Sequence, residues 1–187
     1  MIDKKQQAQS AYQLVDEKKS VSKCAIALLV DNESGVLGRV IGLFSARGYN
    51  LESVTVNEVD HEKGLSRITL ITRGNDEVIA LIMALLERLV PVHEVHNLTL
   101  DSPHIEREVG MIKVVNEDCE GRASAQKLAD RFGARTIDST PESFIFELSD
   151  TSEKIDKFIH LMEPHGIREI CRTGVTAIAR GTEGFKY

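Results

Sequence analysis

The sequence predicts an α+β chain of two tandem βαββαβ units, each ferredoxin-like. Three observations point there. CAIALLV (24–30) is a continuous apolar run of strand length, as a central strand requires. The segments after it alternate in period, giving the order strand, helix, strand, strand, helix, strand. The same grammar returns in the second half: LFSARGYNLES (43–53) and LADRFGARTIDS (128–139) both run helix end, glycine, then a strand with an acidic residue near its end.

Element by element, DNESG (31–35) is turn and cap chemistry. VLGRVIGLFSAR (36–47) sets Val36, Leu37, Val40, Ile41, Leu43 and Phe44 at helical spacing, and Gly48 is placed to stop the helix. NLESVTVNEV (50–59) and LSRITLIT (65–72) read as strands around a DHEKG turn. Asn75 or Asp76 can cap a helix over 77–90 whose apolar positions are Val78, Ile79, Ile82, Leu85, Leu86 and Leu89; Pro91 ends it. VHEVHNLTL (92–100) reads as a fourth strand and DSPHIE (101–106) as a polar linker. REVGMIKVV (107–115) opens the repeat. A loop and helix over 116–132 stop at Gly133, and strands follow at 134–140 and 143–149. Asp150 can cap a helix over 151–163 with Glu153 completing a capping box, and 168–180 reads as one last strand. Residues 1–22 are polar and rich in Gln and Lys, and read as a mobile arm.

Composition narrows the function. Apolar residues are 42% of the 187, enough for real cores, but aromatics are 5% and Trp is absent, so those cores must be aliphatic. A net charge of −6 repels phosphate backbones and anionic membrane surfaces, which argues against nucleic-acid and membrane partners. No apolar run is long enough to span a bilayer, and the first residues lack the apolar stretch of a secretory signal. Cys24, Cys119 and Cys171 are odd in number and far apart, which suits reduced thiols in a cytoplasmic protein.

Several motifs reduce to structure. No G-x-S-x-G and no activated cysteine is present, so no catalytic residue is assigned. His93 and His96 lie three apart in a strand and point to opposite faces, so no metal site is assigned either. The GVLG at 35–38 matches a KH loop only superficially, because it lacks basic neighbours beyond Arg39 and the element order is wrong. The third strand also lacks the aromatic on which an RRM stacks a base. Gly38 and Gly42 form a GxxxG within the first helix, each costing about 1 kcal/mol relative to Ala. They are either tolerated glycines on an exposed face or a place where another backbone comes close.

The loop Asp31 to Gly35 carries the functional signal. It joins a buried strand to a helix N-terminus, which presents free N–H groups to a carboxylate. Gly35 leaves those groups unshielded. Asn32 offers a donor and an acceptor suited to a zwitterion, and Asp31 or Glu33 could meet an α-ammonium. Val36 and Leu37 could touch an aliphatic side chain. The physical chemistry alone accommodates a free amino acid or a plain capped turn.

The segment VDNESGVLGRVIGLFSARGYNLESVTV (30–56) closely resembles the amino-terminal ACT domain of the regulatory small subunit of acetohydroxyacid synthase (acetolactate synthase). LSRITLIT, HIEREVGMIKV, TIDSTPESFIFEL and GVTAIARG match that family in the same order, so the resemblance covers residues 24–181. It implies an ACT domain over 23–100, a second domain over 107–182 associated with full activation, and a tail over 183–187. It implies a catalytic large subunit that uses thiamine diphosphate, Mg²⁺ and FAD, with no cofactor on this chain. The small subunit would activate that enzyme and confer feedback inhibition by a branched-chain amino acid, usually valine. It would pair as a homodimer, the ACT sheets side by side, with Asn32, Gly35, Val36 and Leu37 facing the effector from one protomer and Asn50 and Leu51 from the other. The arm over 1–22 departs from shorter members of the family. A free-standing amino-acid sensor acting on another partner is the alternative in a different class.

Overall fold

A computed structural model of the chain describes residues 21–186. Except for Val21 and Ser22, the expected arm lies outside these residues. The first unit runs β1 (Ser22–Asp31), α1 (Val36–Ser45), β2 (Leu51–Asp60), β3 (Leu65–Gly74), α2 (Asp76–Leu86) and β4 (Val92–Asn97). Its antiparallel sheet has the order β2-β3-β1-β4, so β1 is central. Alternation along β1 sends Cys24, Ile26, Leu28 and Val30 to one face, where they meet Val36, Val40, Leu43 and Phe44 of α1 and Ile79, Ile82 and Leu86 of α2.

Two ends in this unit differ from the sequence reading. Helix α2 takes Asn75 as its cap, whose side chain accepts from the Val78 N–H at 2.9 Å. It closes at Leu86, because Val92 N–H turns back onto the Leu89 carbonyl around buried Pro91. Strand β4 stops at Asn97 rather than running to Leu100. The Asn97 carboxamide accepts from the Thr99 and Leu100 N–H groups, and Asp101 accepts from the Asn97 N–H, which closes a single helical turn, α3 (Leu98–Asp101).

The second unit runs β5 (His104–Val115), α4 (Cys119–Phe132), β6 (Arg135–Ser139), β7 (Ser143–Asp150), α5 (Ser152–Met162), a 3-10 turn (Glu163–His165) and β8 (Ile167–Arg172). Its sheet has the order β6-β7-β5-β8. Strand β5 begins inside the run read as linker, so His104 to Glu106 are sheet. The helix-covered face buries Ile112, Val114, Phe146 and Leu148 against Ala125 and Ala129 of α4 and Ile155, Phe158 and Met162 of α5. Helix α5 is capped one residue later than the sequence suggests, at Thr151 without a side-chain cap bond. Asp150 instead accepts from the Thr151 N–H and pairs with Lys154, so the predicted capping box does not form.

The larger departure is the last strand. It breaks after Arg172, and β9 (Thr176–Ala179) pairs with His104–Arg107, the first residues of β5. This diverts the chain across the far face of the first sheet. Val175 and Ala177 there cover Ala25, Ala27 and Ile71, and Leu98 completes the cluster. The continuous apolarity of β1 thus has two causes, helices on one face and the carboxyl-terminal strand on the other. Ala25 and Ala27 are small where that strand approaches. Phe185 extends the contact, with its ring edge-on to His96 and under the Arg67 guanidinium.

A half-buried ion pair sits where the units meet. Glu108 on β5 is 4% exposed and accepts from Arg172 at 2.8 and 2.7 Å and from the Ser152 hydroxyl at 2.9 Å. Burial opposes its charge, but the Arg172 and Ser152 bonds prevail and hold its carboxyl below the ordinary value of 4.5. The Glu108 carboxylate, with that of Asp156, in turn raises the Arg172 guanidinium. A lowered carboxyl pKa means that the unfolded chain binds more protons. The stability from Glu108 is therefore complete above the unfolded pKa and lost as pH falls through the folded one. Glu108→Gln should melt several degrees below the parent at neutral pH, and the gap should narrow on acidification from about pH 5 to 3. Melts across that range check this; a gap independent of pH would reject the ionised pair as its source.

Candidate functional site

The loop between β1 and α1 is fixed at its root by backbone bonds. Asp31 N–H donates to the Pro91 carbonyl at 2.9 Å and Asn32 N–H to the Gly64 carbonyl at 2.7 Å. The start of β4 and the β2–β3 turn therefore hold the loop from both sides. Gly35 is the helix cap with φ +89°, a left-handed conformation that a β-carbon makes costly, and it brings no side chain to the helix N-terminus. Asn32 and Gly35 are exposed, and Leu37 is 38% exposed beside Ile41.

Three sequence expectations change here. Val36 is 4% exposed and packs into the helix-covered core, so its side chain does not face the loop's open side. It is the first turn of the helix: Leu37 takes the outward position and Val36 the inward one. The acidic residues are also engaged. The Asp31 carboxylate accepts from the His93 ring N–H at 2.7 Å, and Glu33 pairs with Arg39 at 3.0 Å. His93, to which the sequence assigned no metal role, is thus part of the loop's support. The βαββαβ order contains that signal, because an antiparallel β4 beside β1 brings the first residues of β4 to the end of β1. A β-carbon at Gly38 or Gly42 would meet nothing within 4 Å, so among the described residues no backbone uses the gap they leave.

Asn50 and Leu51 lie elsewhere. Asn50 is exposed and its carbonyl accepts from the Thr72 hydroxyl, while Leu51 is half-buried against the core. Leu51 pairs with Thr72 and Thr72 with Cys24, whereas Asp31 pairs with Leu65. The two groups of residues are therefore at opposite ends of the sheet, about 23 Å apart at 3.3 Å per residue. Within one chain they do not come together.

Other chemistry is sparse. Among the described residues no group of three or more His, Cys, Asp or Glu could hold a metal ion. Cys24 is buried beside the Asn97 carboxamide, and burial raises its thiol pKa, which suits an inert core thiol. Among the described residues no helix is long and apolar enough to cross a membrane.

Two family models divide the chain at the same place as the fold does. One, described as AHAS small subunit-like ACT domain, matches residues 26–94, and the other, small subunit of acetolactate synthase, matches 107–181. The acetolactate synthase small subunit of Aquifex aeolicus is 38% identical over 163 residues, 87% of this chain and 84% of that one. The chain belongs to the acetolactate synthase small-subunit family. The isozyme 3 small subunit of Salmonella typhimurium is 40% identical over 157 residues, covering 83% of this chain and 94% of its own. The crystal structure of the Thermotoga maritima small subunit of acetolactate synthase superimposes with a TM-score of 0.78 at 32% identity, over 87% of this chain and 99% of that one. Acetolactate synthase small subunits of this kind are regulatory partners and not catalysts on their own, and this chain carries the ACT domain that suits that role.

Proposed function

We propose that this chain activates a catalytic acetolactate synthase large subunit and confers feedback inhibition by a branched-chain amino acid, valine first, as a cytoplasmic homodimer. The observation that carries the reading is the separation of the two half-sites. Among the described residues strand β2 is an edge of its sheet, with β3 as its one neighbour. Antiparallel pairing of β2 with its copy would reverse the second strand. A second copy's Asn50 and Leu51 would then lie at the end of the sheet that carries Asn32, Gly35 and Leu37. Neither protomer completes the site alone, so effector binding and dimerisation are one event. In the completed site the α1 N-terminus and the Gly35 and Val36 backbone receive the effector carboxylate. The Asn32 carboxamide spans carboxylate and ammonium, and Leu37 meets the aliphatic side chain. Val36 contributes its backbone alone. Thiamine diphosphate, Mg²⁺ and FAD belong to the large subunit.

Valine should stabilise the folded dimer, by about 2.7 kcal/mol at 100 times its Kd. Melts with L-valine, L-leucine, L-isoleucine and D-valine measure this, and sedimentation at the same concentrations measures the dimer. The chain mixed with its large subunit should raise acetolactate formation, and valine should lower it again. No shift with any L-amino acid rejects the site; a monomer that still binds valine rejects its placement between protomers.

A further inference from the structure

Strand β2, which begins at Leu51 of the proposed effector site, also grips the carboxyl-terminal crossing. Ser53 and Thr55, two apart on β2, project to the face away from the helices. Val175 N–H donates to the Ser53 hydroxyl at 2.8 Å, and the Thr55 hydroxyl donates to the Val175 carbonyl at 3.2 Å. Both backbone groups of one residue are thus satisfied by two side chains from the other domain. Gly174 lies so close that a β-carbon there would stand 2.7 Å from the Ser53 hydroxyl oxygen and 3.2 Å from the Thr55 methyl, and its φ is +80°. Val175 is 4% exposed, sealed against Ala25, Ala27 and Ile71.

Two residues before Val175 the chain is held just as firmly by the second domain. Thr173 N–H donates to the Val109 carbonyl, and Val109 N–H donates to the Thr173 hydroxyl, each at 3.0 Å. Arg172 is clamped by Glu108. Three residues, Thr173 to Val175, therefore join β2 directly to β5. Beside them runs a cleft of about 620 Å³, lined by Ser53, Arg73, Glu108, Arg172 and Gly174, which leaves room for the domains to alter their separation. The pairing of β2 with β3 shifts register between Leu51 and Ser53, so β2 is irregular between its effector end and its clamp.

We propose that the Thr173–Val175 crossing, gripped by Ser53 and Thr55, is the coupling element that carries effector occupancy from β2 to the second domain. The inference rests on the effector site proposed above. An effector seated on Asn50 and Leu51 biases β2, the two hydroxyls pass the bias to Val175, and Thr173 delivers it to β5 and β8. Ser53 and Thr55 touch no effector; they are positioning residues.

The test uses the complex of this chain with its large subunit. Thr55→Val and the double variant Ser53→Ala/Thr55→Val remove the grip, and Thr55→Ser keeps the hydroxyl. Three quantities are read: the valine-induced melting shift, stimulation without valine, and the valine concentration for half-inhibition. Binding and stimulation should stay within twofold of the parent, while half-inhibition moves up by tenfold or more, within the range of ordinary allosteric couplings. Thr55→Ser should restore the parental curve. An unchanged inhibition curve in the double variant overturns the proposal. So does an inhibition loss that merely follows a lost melting temperature in all three variants, which would make the grip structural. Failure of the site itself is separate, because the parent would then show neither shift nor inhibition.

Discussion

Asn32→Asp should free the complex from valine while leaving stimulation intact. The substitution is isosteric and sets a carboxylate in the loop where the effector carboxylate is proposed to sit. Two like charges about 4 Å apart at an effective dielectric near 20 repel by roughly 4 kcal/mol. Attraction to the effector ammonium offsets part of this, so at about 1.4 kcal/mol per decade affinity falls by roughly tenfold to a hundredfold. The backbone of Asn32 keeps its bond to Gly64, so the fold should hold. Gly35→Asp brings the same charge but adds strain. With φ at +89°, an Asp there costs about 1–2 kcal/mol, and the variant should melt several degrees lower. The two variants should share the loss of inhibition and differ in melting temperature. Inhibition curves and melts on both decide the matter. If Asn32→Asp loses stimulation at an unchanged melting temperature, the loop contacts the large subunit and the effector assignment fails.

Phe158→Ala should disable activation and spare effector binding. Phe158 is fully buried on α5, with its ring centroid 5.2 Å from that of Phe132 and 6.5 Å from that of Phe146. Truncation of such a side chain costs about 3–5 kcal/mol, a large part of the stability of a small domain. The first domain has its own core between β1, α1 and α2, which this change does not touch. The melt should split into two transitions, and only the later one should move with valine. Stimulation of the large subunit should fall with the population of the folded second domain. If valine no longer shifts any transition, the domains fold as one unit and their proposed division of labour is wrong.

The sequence made the core legible through period. Val40, Leu43 and Phe44 recur at helical spacing and lie on the buried face of α1. CAIALLV is buried along its whole length, as an uninterrupted apolar run requires. The limits of elements were less legible, because side chains decided them. Asn97 ends β4 by capping a helical turn that no periodicity announces. Thr151 displaced Asp150 as a cap because Asp150 is taken by Lys154. In the candidate loop the exposure of Asn32 and Gly35 followed from turn chemistry. The inward turn of Val36 did not, since Val36 and Leu37 are equally apolar and only the helix phase separates them.

Local periodicity and cap chemistry act within a few residues, so the amino-acid sequence by itself determined the duplicated βαββαβ plan, the central strand and the loop at the α1 N-terminus. Contacts between residues far apart in the chain leave no periodic trace, and tertiary structure decided which side chains meet. Asp31 meets His93 because the sheet order sets β4 beside β1. The second face of β1 is covered because the final strand breaks at Gly174, where a glycine can take φ +80° against β2 without a side chain in the way. Asn50 and Leu51 stand at the far end of the sheet from Asn32 because antiparallel register puts them there. That separation is a property of strand direction, and no reading of either segment alone contains it.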